Sequence, residues 1–247
     1  MDEKLLQRMK NLMKNSEKIE THYDCEVCRD LGYTFVQNEV GYDVAVPCSC
    51  LAKKQSLEKL DKCGLSNIFR KKTFHTYTAK KPFQIKAKHQ ALKFCDEFLT
   101  NKSSILLCGK PGTGKTHLGI AVMLNLINKN IGCKYVEYNN MIMSLKQSVM
   151  DEENFMREME HYLNPSVLFI DDFLKGKITS ADLNYIYRII NSRYLKNKPL
   201  IISTEKSIES IISWDEAVGS RLVEMSQGNI INFNQNSENY RMMKYKK

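Results

Sequence analysis

The composition of the chain is that of a globular protein: 247 residues, 43% apolar and 26% charged, with 11 Gly and 5 Pro. Collagen-like, mucin-like and disordered chains are excluded, because the apolar side chains suffice to fill a core. Apolar runs are about five residues long, whereas a membrane span needs roughly 20, and the charged, periodic residues 2–20 do not resemble a secretory signal. We therefore expect a cytoplasmic protein without membrane contact, in which the 8 cysteines stay reduced.

The net charge of +9 is concentrated in one segment. Residues 53–93 contain twelve Lys or Arg against Glu58 and Asp61, a net charge of +10, so the rest of the chain sums to −1. Such a segment fits contact with phosphate or with an acidic partner, but a solvated connector is the more frequent explanation. We interpret it as the junction between two modules.

The spacing of apolar residues predicts a small amino-terminal part followed by a larger α/β part. In the first part, residues 2–20 and 51–62 have helical periodicity, and the stretch between them is typical of short strands and turns. In the second part, a helix opens at Thr179 with Asp182 in a capping box. Predicted helices there alternate with strands at 104–108, 133–138, 166–170, 200–203 and 229–233. This alternation predicts a parallel sheet covered on both faces.

A phosphate-binding loop follows the first strand of the α/β part. Residues 109–116 match the pattern G-x-x-x-x-G-K-[ST], in which glycines turn backbone N–H groups toward phosphate oxygens and a helix amino terminus adds its dipole. We expect Lys115 to reach the β- and γ-phosphates of a bound nucleotide, and the Thr116 hydroxyl to ligate Mg²⁺. The predicted nucleotide-binding residues are the loop and its next neighbour, namely Gly109, Lys110, Pro111, Gly112, Thr113, Gly114, Lys115, Thr116 and His117.

Two carboxylates follow the buried strand at 166–170. In a phosphate-loop enzyme, the first, Asp171, holds Mg²⁺ through water or through Thr116, and the second, Asp172, orients or polarises the attacking water. Taken alone, an acidic pair after a strand is more often a helix cap or a loop. Together with the phosphate loop it predicts catalysis on the bound nucleotide, which we expect to be slow because Asp is shorter than Glu.

The order of these motifs resembles that of AAA+ ATPases of the DnaC/DnaI helicase-loader branch, including versions from phages and mobile elements. The phosphate loop and the acidic pair are followed by a polar strand end at 198–204, by Gly219-Ser220-Arg221 and by Tyr240-Arg241. The resemblance runs from Cys25 to the end of the chain. It implies an α/β fold with a P-loop AAA+ domain and no full lid. It also implies ATP hydrolysis at interfaces between self-associated subunits, and loading of the replicative hexameric helicase onto single-stranded DNA.

The resemblance also implies roles for single residues. Arg221 is similar to the arginine finger that one subunit inserts into its neighbour's nucleotide site, and Arg241 is similar to the second sensor, which contacts phosphates in cis. At the first-sensor position similar proteins usually carry Asn after the Thr, whereas this chain has Thr204-Glu205. Either Thr204 senses the γ-phosphate or that role is weakened. Phe74 lies in the segment that leads into the adenine pocket, where it packs on the base or anchors the core.

Four cysteines have the spacing of a structural zinc site. Cys25-x₂-Cys28 and Cys48-x-Cys50 are two close pairs with 19 residues between them. Four thiolates complete a tetrahedral Zn²⁺ shell, and reduced core thiols are the alternative. His22 is an alternative ligand for one of the four. Loaders of the DnaI type are similar in having an amino-terminal zinc module that holds the helicase.

These observations predict three parts: residues 1–62 as an amino-terminal helix and four-cysteine zinc module for helicase or partner binding, 63–81 as a basic connector, and 82–247 as the AAA+ ATPase domain. Three other functions stay open: an IstB-like transposition ATPase that binds DNA, an ATP-switched nucleic-acid-binding protein, and a P-loop small-molecule kinase. The cysteine pairs disfavour the first, because that branch generally lacks a zinc module. For contact with DNA phosphates, Lys175 and Lys177 are at least as good candidates as the helical segment 139–164.

Overall fold

The computed structural model describes residues 23–38, 41–51 and 71–233, together with Gln7, Lys54 and Glu58. The chain divides into two compact units, Met1–Leu51 and Ala52–Lys247. Most of the helices predicted over 2–20 and 51–62 lie outside the described residues, as do His22 and Arg241. None of the helices that the structure describes is both long enough and apolar enough to cross a membrane.

The smaller unit contains an antiparallel hairpin of two strands, β1 (Tyr33–Gln37) and β2 (Asp43–Pro47). At its open end the Cys48 N–H donates to the Gly32 carbonyl oxygen at 2.8 Å, which joins the two cysteine-bearing turns. Among the described residues of this unit, only Cys28, Gly32 and Cys48 are buried. A hairpin without an apolar core is at best marginally stable in water, so this unit needs another source of stability.

The larger unit alternates helices and strands, as the sequence predicts. Its described elements are α1 (Pro82–Glu97), β3 (Ile105–Gly109), α2 (Lys115–Asn128), β4 (Cys133–Glu137), α3 (Tyr138–Ser148), α4 (Glu152–Leu163), β5 (Val167–Phe173), α5 (Ser180–Leu195), β6 (Leu200–Thr204), α6 (Ile208–Trp214), α7 (Glu216–Ser226) and β7 (Ile230–Phe233). The five strands form one parallel sheet in the order β4-β5-β6-β3-β7. The predicted α/β fold with a parallel sheet is confirmed.

The strand order explains where a site can form. β6 lies between β3, which leads into the phosphate loop, and β5, which carries the acidic pair. Because all five strands are parallel, their carboxyl ends meet at one edge of the sheet, where ligands of such sheets bind. Helix α2 packs closely under this edge: a Cβ atom at Gly119 would lie 2.5 Å from Cζ of Phe169. Only glycine at this position lets the helix that follows the loop approach the sheet so closely.

Two features of the larger unit differ from the sequence prediction. β5 continues to Phe173, with a bulge between Ile170 and Phe173, so the two carboxylates lie within the strand rather than after it. Helix α6 was not predicted, because seven residues are too few to show a helical period. The capping box at Thr179 is confirmed: the Thr179 hydroxyl accepts from the Asp182 N–H at 3.3 Å, and the Asp182 carboxylate accepts from the Thr179 N–H at 2.9 Å.

The segment before α1 packs against the larger unit. Tyr77, which the sequence analysis assigned to the connector, is 5% exposed and belongs to the apolar cluster on one face of the sheet. Phe74 packs against the same cluster. This position agrees with the second of its two predicted roles, that of an anchor to the core. The described residues 71–81 therefore contribute to the wall of the larger unit.

Candidate functional site

The glycines of the phosphate loop are required by close packing. Gly109 and Gly114 have φ angles of 141° and 103°, a conformation that side chains with a Cβ atom rarely adopt. A Cβ atom at Gly109 would lie 2.4 Å from the carbonyl oxygen of Phe233, and one at Gly114 would lie 3.0 Å from Cε2 of Tyr77. The loop is therefore held between β7 on one side and Tyr77 on the other.

Lys115 folds back onto its own loop. Its Nζ donates to the carbonyl oxygens of Gly109 at 2.7 Å and Lys110 at 2.8 Å. The side chain is buried, and this burial lowers the pKa of the Lys115 ammonium from its usual value. Thr113 closes the loop by donating from Oγ1 to the Lys110 carbonyl oxygen at 2.9 Å. A buried ammonium that contacts only carbonyl dipoles gains free energy when an anion reaches it.

Asp171 is buried and accepts hydrogen bonds from three hydroxyl groups. Thr116 Oγ1 donates to its Oδ1 at 3.0 Å, and the Ser203 hydroxyl donates to the same oxygen. Tyr135 donates to Oδ2 at 3.1 Å, and burial and this contact together raise the pKa of Tyr135 above its usual value. Three neutral donors orient the carboxylate without neutralising it. A carboxylate beside a hydroxyl is the oxygen ligand set that Mg²⁺ prefers, so Thr116 and Asp171 fit the magnesium ligands that the sequence predicts.

Asp172 points into the cleft because of the bulge in β5. Its φ angle is 54°, in the left-handed region, and its N–H donates to Ser203 Oγ at 3.0 Å. Its Oδ2 accepts from Lys175 Nζ at 2.7 Å, and Lys175 also lies 3.8 Å from a carboxylate oxygen of Glu205. The second predicted catalytic carboxylate is thus ion-paired with Lys175.

A cleft of about 480 Å³ joins these groups. The Tyr77 hydroxyl is buried and accepts or donates no hydrogen bond within the described chain, and burial raises the pKa of Tyr77 to about 12. His117 packs edge-on against the Tyr77 ring, and burial lowers the pKa of its imidazole. An unpartnered polar group next to the phosphate loop fits a ligand that supplies the missing partner. The cleft is lined by Lys72, Thr76, Tyr77, Thr78, Gln84, Pro111, Gly112, Thr113, Gly114, Lys115, Thr116, His117, Asp172, Lys175 and Glu205.

Thr204 turns away from the cleft. Its hydroxyl donates to the Phe173 carbonyl oxygen at 2.8 Å and accepts from the Lys206 N–H at 3.1 Å, and the residue is 1% exposed. The neighbouring Glu205 is the residue of this pair that lines the cleft. Thr204 therefore ties β6 to β5, and a carboxylate occupies the edge of the cleft beside it.

Arg221 lies on α7 and does not line this cleft. Its guanidinium stacks between two tyrosines of α5, at 5.4 Å from the ring centre of Tyr187 and 5.6 Å from that of Tyr194. One of its nitrogens donates to the Ala217 carbonyl oxygen at 2.7 Å, and the Tyr194 hydroxyl is anchored by Glu224 at 3.0 Å. The predicted finger is thus a half-buried cation held by aromatic faces.

The four predicted zinc ligands come together in the smaller unit. The sulfur atoms of Cys25, Cys28, Cys48 and Cys50 all lie within 4.8 Å of one another, with Cys25 to Cys48 at 3.8 Å and Cys28 to Cys50 at 3.3 Å. Ligands at Zn–S distances of ~2.3 Å in a tetrahedron are about 3.8 Å apart, so the cluster fits such an ion with small adjustments. The Gly32 N–H donates to Cys28 Sγ at 3.3 Å, a contact that orients a ligating sulfur.

The thiols of this cluster differ in acidity. A hydrogen bond from the Cys28 backbone N–H is the main cause that lowers the pKa of Cys25 to about 7. Burial and the neighbouring sulfurs raise the pKa of Cys50 instead. Because a bound metal requires thiolates, uptake of a cation would release protons from this cluster near neutral pH.

The comparison with protein families decides the class of the chain. The family of IstB-like ATP-binding proteins matches residues 53–243. The chain belongs to this family. The matched region includes the whole phosphate loop, the acidic pair Asp171 and Asp172, and Arg221. The protein is therefore an ATP-binding P-loop ATPase with an AAA+ fold.

The proteins similar to this IstB-like protein include a protein of a phage-like element and, among solved structures, a helicase loader. It is 33% identical over 229 residues to the PBSX phage-like element protein XkdC of Bacillus subtilis (strain 168), covering 86% of this chain and 83% of XkdC. It is 34% identical over 196 residues to the uncharacterized protein YqaM of the same strain, covering 74% of this chain and 62%, less than two thirds, of YqaM. The crystal structure of the DnaC helicase loader superposes with a TM-score of 0.59 and 28% identity, covering 67% of this chain and 98% of that chain.

Sequence reasoning did not identify several residues of the site. Tyr135 of β4 and Ser203 of β6 reach it from two strands. Tyr77 was considered only as the last residue of the segment 69–77 that leads into the adenine pocket, and Glu205 only as a departure at the first-sensor position. Lys175 was considered for DNA contact rather than for the nucleotide cleft. Ser203 could have been identified as a site residue from its position near the carboxyl end of β6, the strand between β3 and β5.

Proposed function

We propose that this chain is an ATP-controlled loader of a hexameric replicative DNA helicase. The observation that carries the proposal is the similarity to the DnaC helicase loader at 28% identity, because nearly the whole of that chain, 98%, has a counterpart here. ATP binding and hydrolysis would then switch the chain between states that hold and release the helicase around single-stranded DNA. The proposed localisation is the cytoplasm, where replication takes place.

In the proposed site, Lys115 exchanges two carbonyl oxygens for the β- and γ-phosphates, since a buried ammonium interacts more strongly with charge than with dipoles. The loop residues Gly109 to Thr116 and His117 surround the phosphates. Thr116 and Asp171 hold Mg²⁺, which when bound neutralises charge on the phosphate oxygens. Their 3.0 Å hydrogen bond supports this assignment, because two ligands of one ion must be close. Asp172 orients the attacking water.

Arg221 is proposed to act in the site of a neighbouring subunit. Its absence from the lining of its own cleft supports a role in trans, and the tyrosine stack supports it because a finger must be pre-oriented on the surface. Self-association through the ATPase domain then couples hydrolysis to assembly. We further propose Arg241 as a sensor in cis on the resemblance alone, and Thr204 as a residue that positions β6 next to the phosphates.

The cysteine cluster is proposed to bind Zn²⁺ and to stabilise the module that contacts the helicase. The sulfur distances support a single tetrahedral ion. Residues 1–62 would form this module, 63–81 the connector, of which residues 71–81 pack on the larger unit, and 82–247 the ATPase domain. The near absence of buried apolar side chains in the described part of the smaller unit supports a structural rather than a catalytic ion.

The experiment that tests the loader function is helicase loading onto circular single-stranded DNA. The DNA is coated with single-strand-binding protein and carries an annealed oligonucleotide, which the host's replicative helicase displaces only after loading. We expect displacement to require the chain and ATP, and to be lost in Lys115→Ala. Arg221→Ala should also fail, and mixing it with Lys115→Ala should restore activity, because some interfaces then combine an intact site with an intact finger.

A matched control is Arg188→Ala, which removes an arginine that stacks on the ring of Phe155 at 5.4 Å. This variant should load helicase as the parent protein does. Displacement without the chain, or equal displacement with Lys115→Ala, would contradict the loader function.

The second candidate function is that of an IstB-like transposition ATPase, which the family assignment favours. This function predicts ATP-dependent binding to duplex DNA and to a transposase rather than to a helicase. Binding of duplex and single-stranded oligonucleotides, measured with and without ATP, separates the two candidates. Tight ATP-dependent binding to the duplex, with no helicase in the complex, would favour transposition.

A further inference from the structure

Three carboxylates act electrostatically on the Lys115 ammonium. They are Glu205 and Asp172, which line the cleft, and the buried Asp171 behind it, while Lys72, Lys115 and Lys175 are the lysines of the described lining. Glu205 lines the cleft together with Lys115, and one of its carboxylate oxygens lies 3.8 Å from Lys175 Nζ. A carboxylate there repels the γ-phosphate, so the site needs positive charge beyond Lys115 and a metal ion.

Lys175 supplies that charge at the right place. Its Nζ lies 2.7 Å from Asp172 Oδ2 and 3.8 Å from Glu205 Oε1, so it bridges the two carboxylates of the cleft. The hydrogen bond to Asp172 is the largest cause of the raised pKa of Lys175, which keeps the ammonium charged. With 47% of its side chain exposed, Lys175 can change partners without unpacking the core.

The backbone around Lys175 is specialised. Asp172 and Leu174 have φ angles of 54° and 59°, and Gly176 has 94°. Left-handed conformations at residues other than glycine cost free energy and persist where neighbouring contacts impose them. Here the Ser203 hydroxyl accepts the Asp172 N–H, and the Thr204 hydroxyl binds the Phe173 carbonyl oxygen. A surface ion pair is too weak to require such a turn, whereas orienting a lysine toward a ligand would explain it.

We propose that Lys175 is a γ-phosphate-binding residue that Asp172 and Glu205 hold at the edge of the cleft and that ATP draws away from Asp172. When Lys175 moves to the γ-phosphate, the Asp172 carboxylate loses its ion pair and becomes available to orient the attacking water. ADP lacks the γ-phosphate, so it leaves the Lys175–Asp172 pair in place. This inference rests on the proposed nucleotide site and is independent of the helicase-loading function.

The test compares the affinities of a non-hydrolysable ATP analogue and of ADP for the full chain. In Lys175→Ala we expect the affinity for the analogue to fall about tenfold, the scale of one lost charge-assisted contact to phosphate, while ADP affinity stays within about twofold. Lys175→Arg should retain most of the preference for the analogue. Glu205→Gln should raise the affinity for the analogue and leave that for ADP unchanged, because it removes a repelling charge.

Lys177→Ala is the matched control. Lys177 lies two residues further on and lines a different groove, with Tyr138 and Lys146, so it should not change either affinity. An unchanged ratio of the two affinities in Lys175→Ala, or an equal loss of both, would overturn the proposal, as would an unaffected Glu205→Gln. Weaker binding of a single-stranded oligonucleotide by Lys175→Ala with unchanged nucleotide affinities would assign Lys175 to DNA instead.

Lys115→Ala tests the underlying nucleotide site separately. It should weaken the binding of both nucleotides. If it weakened neither, the nucleotide site itself would be wrong, whereas a changed affinity ratio in Lys175→Ala alone depends on the γ-phosphate. The two failures are therefore distinguishable.

Discussion

Single side chains in the cleft are arranged for a ligand. Lys115 donates to carbonyl oxygens of its own loop, and Asp171 accepts from three neutral hydroxyl groups. The Tyr77 hydroxyl is buried without a partner in the described chain. Lys115 and Asp171 have uncharged hydrogen-bond partners and the Tyr77 hydroxyl has none in the described chain, so the proposed nucleotide and metal ion would supply the charges and the hydrogen bond that these groups lack. These groups thus lower the stability of the fold and favour ligand binding, as groups in functional sites commonly do.

Replacement of Tyr77 by Phe tests this interpretation at one atom. The change removes a buried hydroxyl without a protein partner, so we expect unchanged or slightly higher thermal stability. The nucleotide loses a hydrogen-bond partner, and its affinity should fall by about fivefold, equivalent to ~1 kcal/mol. Calorimetric titration with an ATP analogue and thermal unfolding of the same samples measure both effects.

Tyr138→Phe is the matched control for Tyr77→Phe. Tyr138 also has a buried hydroxyl without a partner in the described chain, but it lies at the start of α3 against Phe173 and does not line the nucleotide cleft. Its replacement should affect stability in the same direction and leave nucleotide affinity unchanged. Equal effects of the two variants on affinity would contradict a role for Tyr77 in binding.

At the scale of elements, Arg193 and Lys198 donate hydrogen bonds to carbonyl oxygens at and just beyond the carboxyl end of α4. Arg193 of α5 is fully buried and donates to the carbonyl oxygens of Tyr162, Pro165, Ser166 and Pro199, at 2.9, 3.1, 3.3 and 2.8 Å. Burial lowers its pKa to about 10, so it stays charged at neutral pH. Lys198 donates to the Leu163 and Asn164 carbonyl oxygens from a more exposed position. These contacts join α4, α5 and the starts of β5 and β6.

The difference in burial predicts a difference in stability. Arg193→Leu removes the guanidinium donor from four carbonyl groups, of which Pro199 keeps the Leu168 N–H at 3.4 Å. It should lower the free energy of unfolding by about 3 kcal/mol or more. Lys198→Ala removes a partly exposed cation at a helix carboxyl end and should cost about 0.5–1 kcal/mol. Urea unfolding of both variants measures the two losses in free energy of unfolding. Comparable losses would show that burial does not determine how much each cation contributes to stability.

The sequence predicted those parts of the fold that depend on local pattern. Five strands, the helices between them and the phosphate loop each have a periodicity or a motif within one segment. Tyr135 and Ser203 could not be assigned to Asp171, because their contacts depend on the order of parallel strands, which no local pattern specifies. The left-handed turn at Asp172 was missed for the same reason: it is imposed by Ser203 from the neighbouring strand.

At the scale of the whole molecule, two units with different sources of stability share one chain. The larger unit has two apolar clusters, one on each face of its sheet. In the described part of the smaller unit, by contrast, the valines Val27, Val36, Val44 and Val46 are exposed. Zn²⁺ at the proposed cysteine site would contribute about 10–16 kcal/mol at neutral pH, more than a short hairpin can gain by itself. The two units should therefore respond differently to loss of metal.

Removal of the metal tests this division. In Cys25→Ser with Cys28→Ser, or after treatment with a strong chelator, we expect loss of one zinc ion per chain and loss of amide protection in residues 23–51. Affinity for an ATP analogue should stay within about twofold, because the nucleotide site belongs to the larger unit and needs no zinc ligand. Ser49→Ala, an exposed position between two ligands, is the matched control and should keep its zinc. Unchanged metal content in the double variant would refute the zinc site, and parallel loss of nucleotide binding would show that the two units fold as one.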